Sequence, residues 1–180
     1  MARIKFNYLT LQSQLSESRF ETNNTGLVWG NLQSLHEISL YVSIACSHCG
    51  KAVNKLRRLL DIYPDFCFRL IFAVKSDNSN DKSNVITRHL IFLSKILTKN
   101  DFFEMLNCWY SMPKKTLEAL QKSFPAPSEQ SCQAEMDALY QFNLQAKINY
   151  APTILVNGRL LTKLYAYQDL YGIATSLNAV

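Results

Sequence analysis

Residues 38–50 have the sequence Ile-Ser-Leu-Tyr-Val-Ser-Ile-Ala-Cys-Ser-His-Cys-Gly, and this stretch decides the fold. In its first half apolar residues occupy every second position, as they do in a half-buried β-strand. A helical pattern follows, in which apolar residues recur at 3.6-residue spacing between lysines and arginines: Val53, Leu56, Leu59 and Leu60. The cysteines of a Cys-x-x-Cys motif, Cys46 and Cys49, therefore stand where a strand passes into a helix.

The start of a helix favours the charged form of a cysteine. Unpaired backbone N–H groups and the positive end of the helix dipole lie there, and both stabilise a thiolate. The thiolate is the attacking species in thiol–disulfide exchange. Cys49 is close enough in sequence to resolve a mixed disulfide formed by Cys46. His48, between the two, adds a hydrogen-bond donor or a positive charge near the Cys46 sulfur.

The spacing of the cysteines alone leaves other uses of the pair open. The pair could be half of a zinc site, but such a site needs a second Cys-x-x-Cys or a pair of histidines. Cys67, Cys108 and Cys132 are isolated, and the other two histidines lack ligand-like spacing. We therefore predict no metal site. Cys46 and Cys49 could also be inert buried thiols, and the intervening histidine an ordinary exposed residue.

Outside the motif, the sequence pattern predicts an α/β order of elements. A second apolar strand is expected over residues 66–74 and a block of helices over residues 85–147. A strand, an Asn157-Gly158 hairpin turn, a return strand and a closing helix follow. Within the helical block, Phe124-Pro125-Ala126-Pro127 predicts a break in the chain, and Ser128 predicts a helix N-cap.

The first 30 residues differ from the rest in being polar and mixed. They contain the breaker cluster Asn23-Asn24-Thr25-Gly26. We predict that residues 1–30 form an N-terminal extension or linker. The folded domain is then expected over residues 31–177, with the helical insertion at residues 85–147.

Composition and charge exclude several classes of protein. The chain has 180 residues, 48% of them hydrophobic and 18% charged, which is typical of a globular domain. The net charge of +5 comes with no run of five like charges and no motif that reads bases, so we predict no nucleic-acid partner. No apolar run approaches the roughly 20 residues of a membrane span. The N-terminus lacks the apolar core of a signal peptide.

A second motif supports an assignment to a family. Pro152 precedes a strand in the stretch Ala151-Pro152-Thr153-Ile154-Leu155-Val156-Asn157-Gly158. Strand, Cys-x-x-Cys, helix, strand, helical insertion and then this stretch resemble the thioredoxin fold. The size of the insertion resembles the DsbA-like branch, which carries Cys-Pro-His-Cys where this chain has Cys-Ser-His-Cys.

The chain resembles one group of proteins more closely, namely the thioredoxin-like domain of bacterial vitamin K epoxide reductase fusion proteins. The likeness covers about residues 28–175. The matching features are Gly30-Asn31, Asn107-Cys108-Trp109-Tyr110, the segment from Thr153 to Leu161, Tyr165 and Asp169-Leu170.

The resemblance implies a role for each residue of the site. Cys46 would be the exposed nucleophile and Cys49 the buried resolving cysteine, joined in a redox-active disulfide with no further cofactor. Pro152 would follow a cis peptide bond and face the cysteine pair. The Ala151 backbone would pair with an extended substrate segment, as in β-augmentation. Ser47 would contact the substrate beside it.

Three departures from the family pattern bear on this chemistry. Ser47 replaces a common proline, and Ala151 stands where Thr or Val is frequent. Thioredoxin-fold enzymes often bury a carboxylate beneath the second cysteine, but the first strand of this chain offers only Glu37, at its edge. Proton transfer would then depend on water or His48.

The resemblance also implies a function and a place for it. We expect a thiol–disulfide oxidoreductase that acts on protein thiols in oxidative protein folding. Its electrons would pass to a membrane quinone-linked oxidase of the vitamin K epoxide reductase type. The location would be extracytoplasmic, in the periplasm, with a possible membrane tether on a segment outside this sequence. Two alternatives stay open: a reductase or isomerase on the same fold, and a non-catalytic module that binds a peptide or a metal.

The remaining cysteines make the total of five odd, so one thiol at least has no partner in the chain. Cys67 lies in an apolar strand and is expected to be a buried core thiol. Cys108 and Cys132 both belong to the helical insertion. They could form a structural disulfide in an oxidising compartment, which spacing alone does not decide.

Overall fold

The computed structural model describes residues 5–125 and 132–179. Its strands are β1 (Leu15–Arg19), β2 (Leu27–Gly30), β3 (Glu37–Val42), β4 (Cys67–Phe72), β5 (Thr153–Val156) and β6 (Arg159–Leu161). Its helices are α1 (Tyr8–Ser13), α2 (Ser47–Ile62), α3 (Lys82–Ile96), α4 (Lys99–Ser111), α5 (Leu117–Ser123), α6 (Gln133–Ala146) and α7 (Leu170–Asn178), with a 3-10 turn at Tyr167–Asp169.

The strands form one mixed sheet in the order β1-β6-β5-β3-β4-β2. β3 lies inside it, parallel to β4 and antiparallel to β5, so that Ile38 pairs with Phe68 on one side and with Val156 on the other. Helix α2 connects β3 to β4, and helices α3 to α6 lie between β4 and β5 in the chain. The predicted thioredoxin-like α/β fold with a helical insertion is therefore confirmed.

Helix α2 packs through the apolar stripe that its sequence predicts. Val53, Leu56, Leu59 and Leu60 are all buried. The helix contacts α4, α7 and the 3-10 turn, so elements from the insertion and from the end of the chain meet at it. Within residues 5–125 and 132–179, no helix combines the length and the apolar character needed to cross a membrane.

The structure corrects the prediction of an extension or linker over residues 1–30. β1 pairs with β6 and β2 pairs with β4, both antiparallel, so this segment supplies both edge strands of the sheet. Leu11 is fully buried in the core, and Leu15 nearly so. The polar composition of the segment hid these strands, because an edge strand buries only part of its surface.

Element boundaries differ in detail from the predicted ones. β3 ends at Val42, whereas the alternating apolar pattern continues to Ile44, because the chain turns before the Cys-x-x-Cys motif. The hairpin turn is formed as predicted, with φ of 49° at Asn157 and 75° at Gly158. Helix α5 ends before the predicted break, whereas the predicted N-cap Ser128 lies outside the described residues.

Candidate active site

A tight turn delivers Cys46 from the sheet to the start of α2. The Cys46 N–H donates to the Ser43 carbonyl over 3.2 Å, and the Cys49 N–H donates to the Cys46 carbonyl over 3.1 Å. Cys46 is the N-cap residue of α2, with extended backbone angles and no hydrogen bond from its own side chain to the helix. Cys46 thus occupies the end of the helix at which the unpaired N–H groups of the first turn are found.

The two cysteines of the motif differ in burial. Cys46 is partly exposed, whereas Cys49 has no exposed surface. Burial raises the pKa of the Cys49 thiol well above its ordinary value, although the Ser43 N–H, 3.4 Å from the Cys49 sulfur, acts in the opposite direction. Cys46 is thus the thiol that another molecule can reach.

The segment before β5 faces the cysteine pair. The Ala151–Pro152 peptide bond is cis. The Cys46 thiol donates to the Ala151 carbonyl over 3.5 Å, and Thr153 closes the same loop by donating from its hydroxyl to the Tyr150 carbonyl over 2.7 Å. Residues 105 positions apart in the chain therefore meet at one sulfur atom.

Ser47 and His48 lie at the surface in the first turn of α2. The His48 ring lies beside Tyr167, with 6.4 Å between the ring centroids. No hydrogen bond joins His48 to Cys46 within the part of the chain that the structure describes. His48 thus lies within the motif, but no hydrogen bond holds its ring against the Cys46 sulfur.

Glu37 lies at the opposite end of β3 from the cysteine pair. Five residue steps separate it from Val42, which corresponds to roughly 16 Å along a strand. Its carboxylate binds Arg69 at 3.0 Å and accepts hydrogen bonds from Thr22 and Ser39. The structure thus agrees with the sequence in offering no acid from β3 beneath Cys49.

Cys67, Cys108 and Cys132 are all free thiols, so the structure shows no disulfide between Cys108 and Cys132. Cys108 is exposed on α4, whereas Cys132 is buried at the start of α6. Cys67 is buried in β4 as expected, and burial together with the nearby Glu37 charge raises its pKa to about 11. Among the described residues, no group of three or more His, Cys, Asp or Glu side chains could hold a metal ion.

Sequence reasoning missed the side chains that hold the turn before Cys46. Trp109 donates from its indole Nε1 to the Ile44 carbonyl over 3.0 Å, and Tyr110 donates from its hydroxyl to the Ser43 carbonyl over 3.2 Å. Both side chains come from the end of α4. A signal was available, because a buried Trp or Tyr usually needs a polar partner. Their aromatic character by itself predicts only core packing.

Comparisons with known proteins support the thioredoxin-like fold. Three solved structures share the fold at low identity. The reduced DsbA1 of Neisseria meningitidis has a TM-score of 0.64 and 12% identity, covering 90% of this chain and 87% of its own. A periplasmic thioredoxin-like protein of Salmonella enterica serovar Typhimurium has a TM-score of 0.62 and 11% identity, and the match covers 93% of this chain and 96% of that protein. Oxidised BdbD of Bacillus subtilis has a TM-score of 0.59 and 13% identity, and the match covers 92% of this chain and 99% of that protein.

At these identities the solved structures establish the fold, and a family model establishes the membership. The comparison with curated proteins gives no match. The family model described as Thioredoxin matches residues 22–173, which is most of the chain and includes both the cysteine pair and the loop that faces it. The chain therefore belongs to this thioredoxin family, with a fold that resembles DsbA-like proteins.

Proposed function

We propose that this protein is a thiol–disulfide oxidoreductase that exchanges disulfides with protein thiols through Cys46 and Cys49. One observation carries the proposal. A partly exposed sulfur at a helix start, Cys46, lies 3.5 Å from the Ala151 carbonyl, while its partner in the motif is buried. A reachable nucleophile and a sheltered resolving thiol are what such an exchange requires.

The proposed reaction begins with a disulfide between Cys46 and Cys49. A substrate thiolate attacks the Cys46 sulfur, the Cys46–Cys49 bond breaks, and Cys49 leaves with the electron pair and takes a proton. A second substrate thiolate then attacks the mixed disulfide and releases Cys46 as a thiolate. Two electrons pass from the substrate to the protein, and the substrate gains one disulfide. The Ser43 N–H stabilises the departing Cys49 sulfur.

The substrate segment would lie between the cis-proline loop and the first turn of α2. The Ala151 carbonyl beside the Cys46 sulfur is placed to accept a hydrogen bond from an extended chain. Ala151 and Pro152 are partly exposed, and Ser47 is exposed, so a peptide can reach all three. Backbone pairing of this kind accepts many sequences, which suits an enzyme that acts on diverse protein thiols.

The direction of the reaction is proposed to be oxidation. The helix start favours the reduced thiolate form of Cys46, which makes the disulfide a better oxidant, and His48 is proposed to assist from its place in the motif. Two of the related structures are described in a defined redox state, oxidised BdbD and reduced DsbA1. Reductases and isomerases share this fold and form the second candidate. A reduction potential of about −120 mV supports the oxidase, and one of about −270 mV supports the reductase.

The proposed location is outside the cytoplasm, in the periplasm, where disulfides persist. A periplasmic thioredoxin-like protein among the solved structures supports it. A quinone-linked membrane oxidase of the vitamin K epoxide reductase type is the proposed electron acceptor, on the strength of the Asn107–Tyr110 and Thr153–Leu161 motifs. A tether to the membrane would lie on a segment outside this sequence.

The test mixes the protein, with its Cys46–Cys49 disulfide formed, with a reduced peptide that contains two cysteines, and it measures oxidation of the peptide. We expect the wild-type protein to accelerate formation of the peptide disulfide, and Cys46→Ala to abolish the acceleration. Cys108→Ala is the matched control, because it removes an exposed thiol from another helix and should leave the rate unchanged. Equal rates for wild type and Cys46→Ala would contradict the proposal and leave a non-catalytic module that binds peptides or metal through the same groove.

A further inference from the structure

One backbone residue, Ser43, contacts both halves of the cysteine pair. Its N–H donates to the Cys49 sulfur over 3.4 Å. Its carbonyl accepts the Cys46 N–H over 3.2 Å and also the Tyr110 hydroxyl over 3.2 Å. The orientation of Ser43 therefore affects the buried sulfur and the turn that presents the exposed one. Tyr110 holds that orientation from outside the turn.

The Tyr110 ring also packs on the helix that carries the pair. A Cβ atom added to Gly50 would lie 2.5 Å from the Tyr110 Cβ and 2.9 Å from its Cγ. Gly50 directly follows Cys49, so the ring lies against the backbone of the first turn of α2. Tyr110 thus contacts the turn before Cys46 through its hydroxyl and the helix after Cys49 through its ring.

The Tyr110 hydroxyl keeps its proton. The side chain is almost completely buried, with 7% of its surface exposed. Burial raises the pKa of Tyr110 well above its ordinary value, and negative charge on Cys49 or Cys46 would raise it further. The phenol is therefore a permanent hydrogen-bond donor to Ser43 and does not accept the protons that the cysteines release.

We propose that Tyr110 is a positioning residue that sets the thiol–disulfide equilibrium of Cys46 and Cys49, acting through Ser43. The proposal rests on the proposed function. A free Cys49 sulfur, above all as a thiolate, accepts a hydrogen bond more strongly than a disulfide sulfur does. The Ser43 N–H thus favours the reduced form, and Tyr110 keeps that N–H on the sulfur. The helical insertion would in this way tune the redox pair.

The experiment equilibrates the full chain with glutathione. The Cys46–Cys49 disulfide and two molecules of glutathione give two protein thiols and one glutathione disulfide. We expect Tyr110→Phe, which keeps the ring and removes the hydroxyl, to lower the equilibrium constant for reduction about three- to tenfold. A tenfold change corresponds to about 30 mV for this two-electron couple. The variant would be the poorer oxidant.

Tyr165→Phe is the matched control. Tyr165 is also 7% exposed, and its hydroxyl also donates to a backbone carbonyl, that of Lys5, away from the cysteine pair. A general loss of packing or stability would affect both variants, whereas only Tyr110→Phe should change the equilibrium constant. An unchanged constant in Tyr110→Phe, or an equal change in Tyr165→Phe, overturns the positioning role.

Failure of the proposed function gives a different result. A wild-type protein that forms no Cys46–Cys49 disulfide in any glutathione buffer contradicts that function itself. If Tyr110→Phe does not fold, NMR spectra of the wild-type protein provide the test. We expect the Ser43 amide and the Tyr110 ring signals to differ between the reduced and oxidised forms. Identical signals in the two forms overturn the inference.

Discussion

Cys46 and Cys49 are three residues apart, yet their surroundings differ in exposure and in hydrogen-bond partners. Cys46 ends a turn at the protein surface and faces the Ala151 carbonyl. Cys49 lies fully buried in the first turn of α2, with the Ser43 N–H directed at its sulfur. The helix start places both residues, and the packing around α2 makes them unequal.

This inequality predicts how single cysteine variants react with iodoacetamide. In Cys49→Ser, Cys46 should be alkylated readily, whereas in Cys46→Ser, Cys49 should react at least about tenfold more slowly. Because burial raises the pKa of Cys49, its rate should keep rising with pH beyond the ordinary cysteine value of about 8.5. Mass spectrometry of proteolytic peptides reports each cysteine separately.

The control for this measurement is the same pair of variants in urea. Unfolding removes the difference in burial, so both cysteines should then react at similar rates. Equal rates for the two folded variants would contradict the assignment of Cys46 as the exposed nucleophile and Cys49 as the sheltered thiol.

At the scale of elements, the contact between α2 and α4 holds the backbone of the turn that precedes Cys46. Trp109 and Tyr110, at the end of α4, donate to two consecutive carbonyls of that turn. Gly50 lets the two helices approach, because a side chain there would overlap the base of the Tyr110 side chain. The glycine is therefore required by packing, although its helical position alone would favour alanine.

We predict that Gly50→Ala destabilises the protein despite the higher helix propensity of alanine. Propensity alone would stabilise the variant by about 1 kcal/mol. Overpacking against the base of the Tyr110 side chain should cost about 2 kcal/mol, so the net loss is about 1 kcal/mol. Urea denaturation measures the free energy of unfolding.

Gly172→Ala is the comparison for this prediction. Its added Cβ would meet the far end of the Phe6 ring, in a segment close to the N-terminus. Because that ring can move more easily than the base of a buried side chain, the loss should be smaller, under about 1 kcal/mol. A Gly50→Ala protein as stable as wild type would refute the packing role.

At the scale of the whole molecule, a buried ion pair fastens the N-terminal segment to the sheet. Glu37 on β3 and Arg69 on β4 are paired at 3.0 Å. Thr22 donates to the same carboxylate, and the Arg69 guanidinium donates to the Thr25 carbonyl over 2.9 Å. The loop between β1 and β2 is thus joined to β3 and β4 through two side chains, at the end of β3 opposite the cysteine pair.

We predict that Glu37→Gln lowers the free energy of unfolding by about 3 kcal/mol, since it leaves the Arg69 charge buried without its partner. Glu135→Gln is the control, because Glu135 and Lys95 form a partly exposed ion pair, with 37% and 38% of the side chains accessible, and it is expected to contribute less than about 1 kcal/mol. The thiol–disulfide equilibrium should stay unchanged in both variants. Equal stability losses would contradict a special role for the Glu37–Arg69 pair.

The same pair predicts a pH dependence of stability. Burial alone would raise the pKa of Glu37, but the hydrogen bonds from Arg69, Ser39 and Thr22 and the charge of Arg69 outweigh it, so the pKa is lowered. The stabilisation is therefore complete above the unfolded-chain value of about 4.3 and is lost as pH falls below it. Urea titrations between neutral and acidic pH should show this loss in wild type, and a weaker one in Glu37→Gln.

Local patterns were enough to predict the elements that place the cysteine pair and the turn after the loop that faces it. Alternating apolar residues predicted β3, the 3.6-residue stripe predicted α2, and Asn157-Gly158 predicted the turn between β5 and β6. Each of these features depends on neighbours within a few residues, so a sequence pattern captures it. The same patterns missed β1 and β2, because an edge strand has a partly polar surface and is defined by the strand it pairs with.

By itself, the sequence determined the thioredoxin-like order of elements and placed Cys46 and Cys49 at a helix start. Only the tertiary structure decided how the two sulfurs differ, since burial depends on helices that arrive from elsewhere in the chain. It also decided that Glu37 pairs with Arg69 at the far end of β3, and that Tyr110 binds Ser43 across 67 positions of the chain. Such contacts leave no local pattern, because each joins residues that are distant in sequence and that only the folded sheet or the packed insertion brings together.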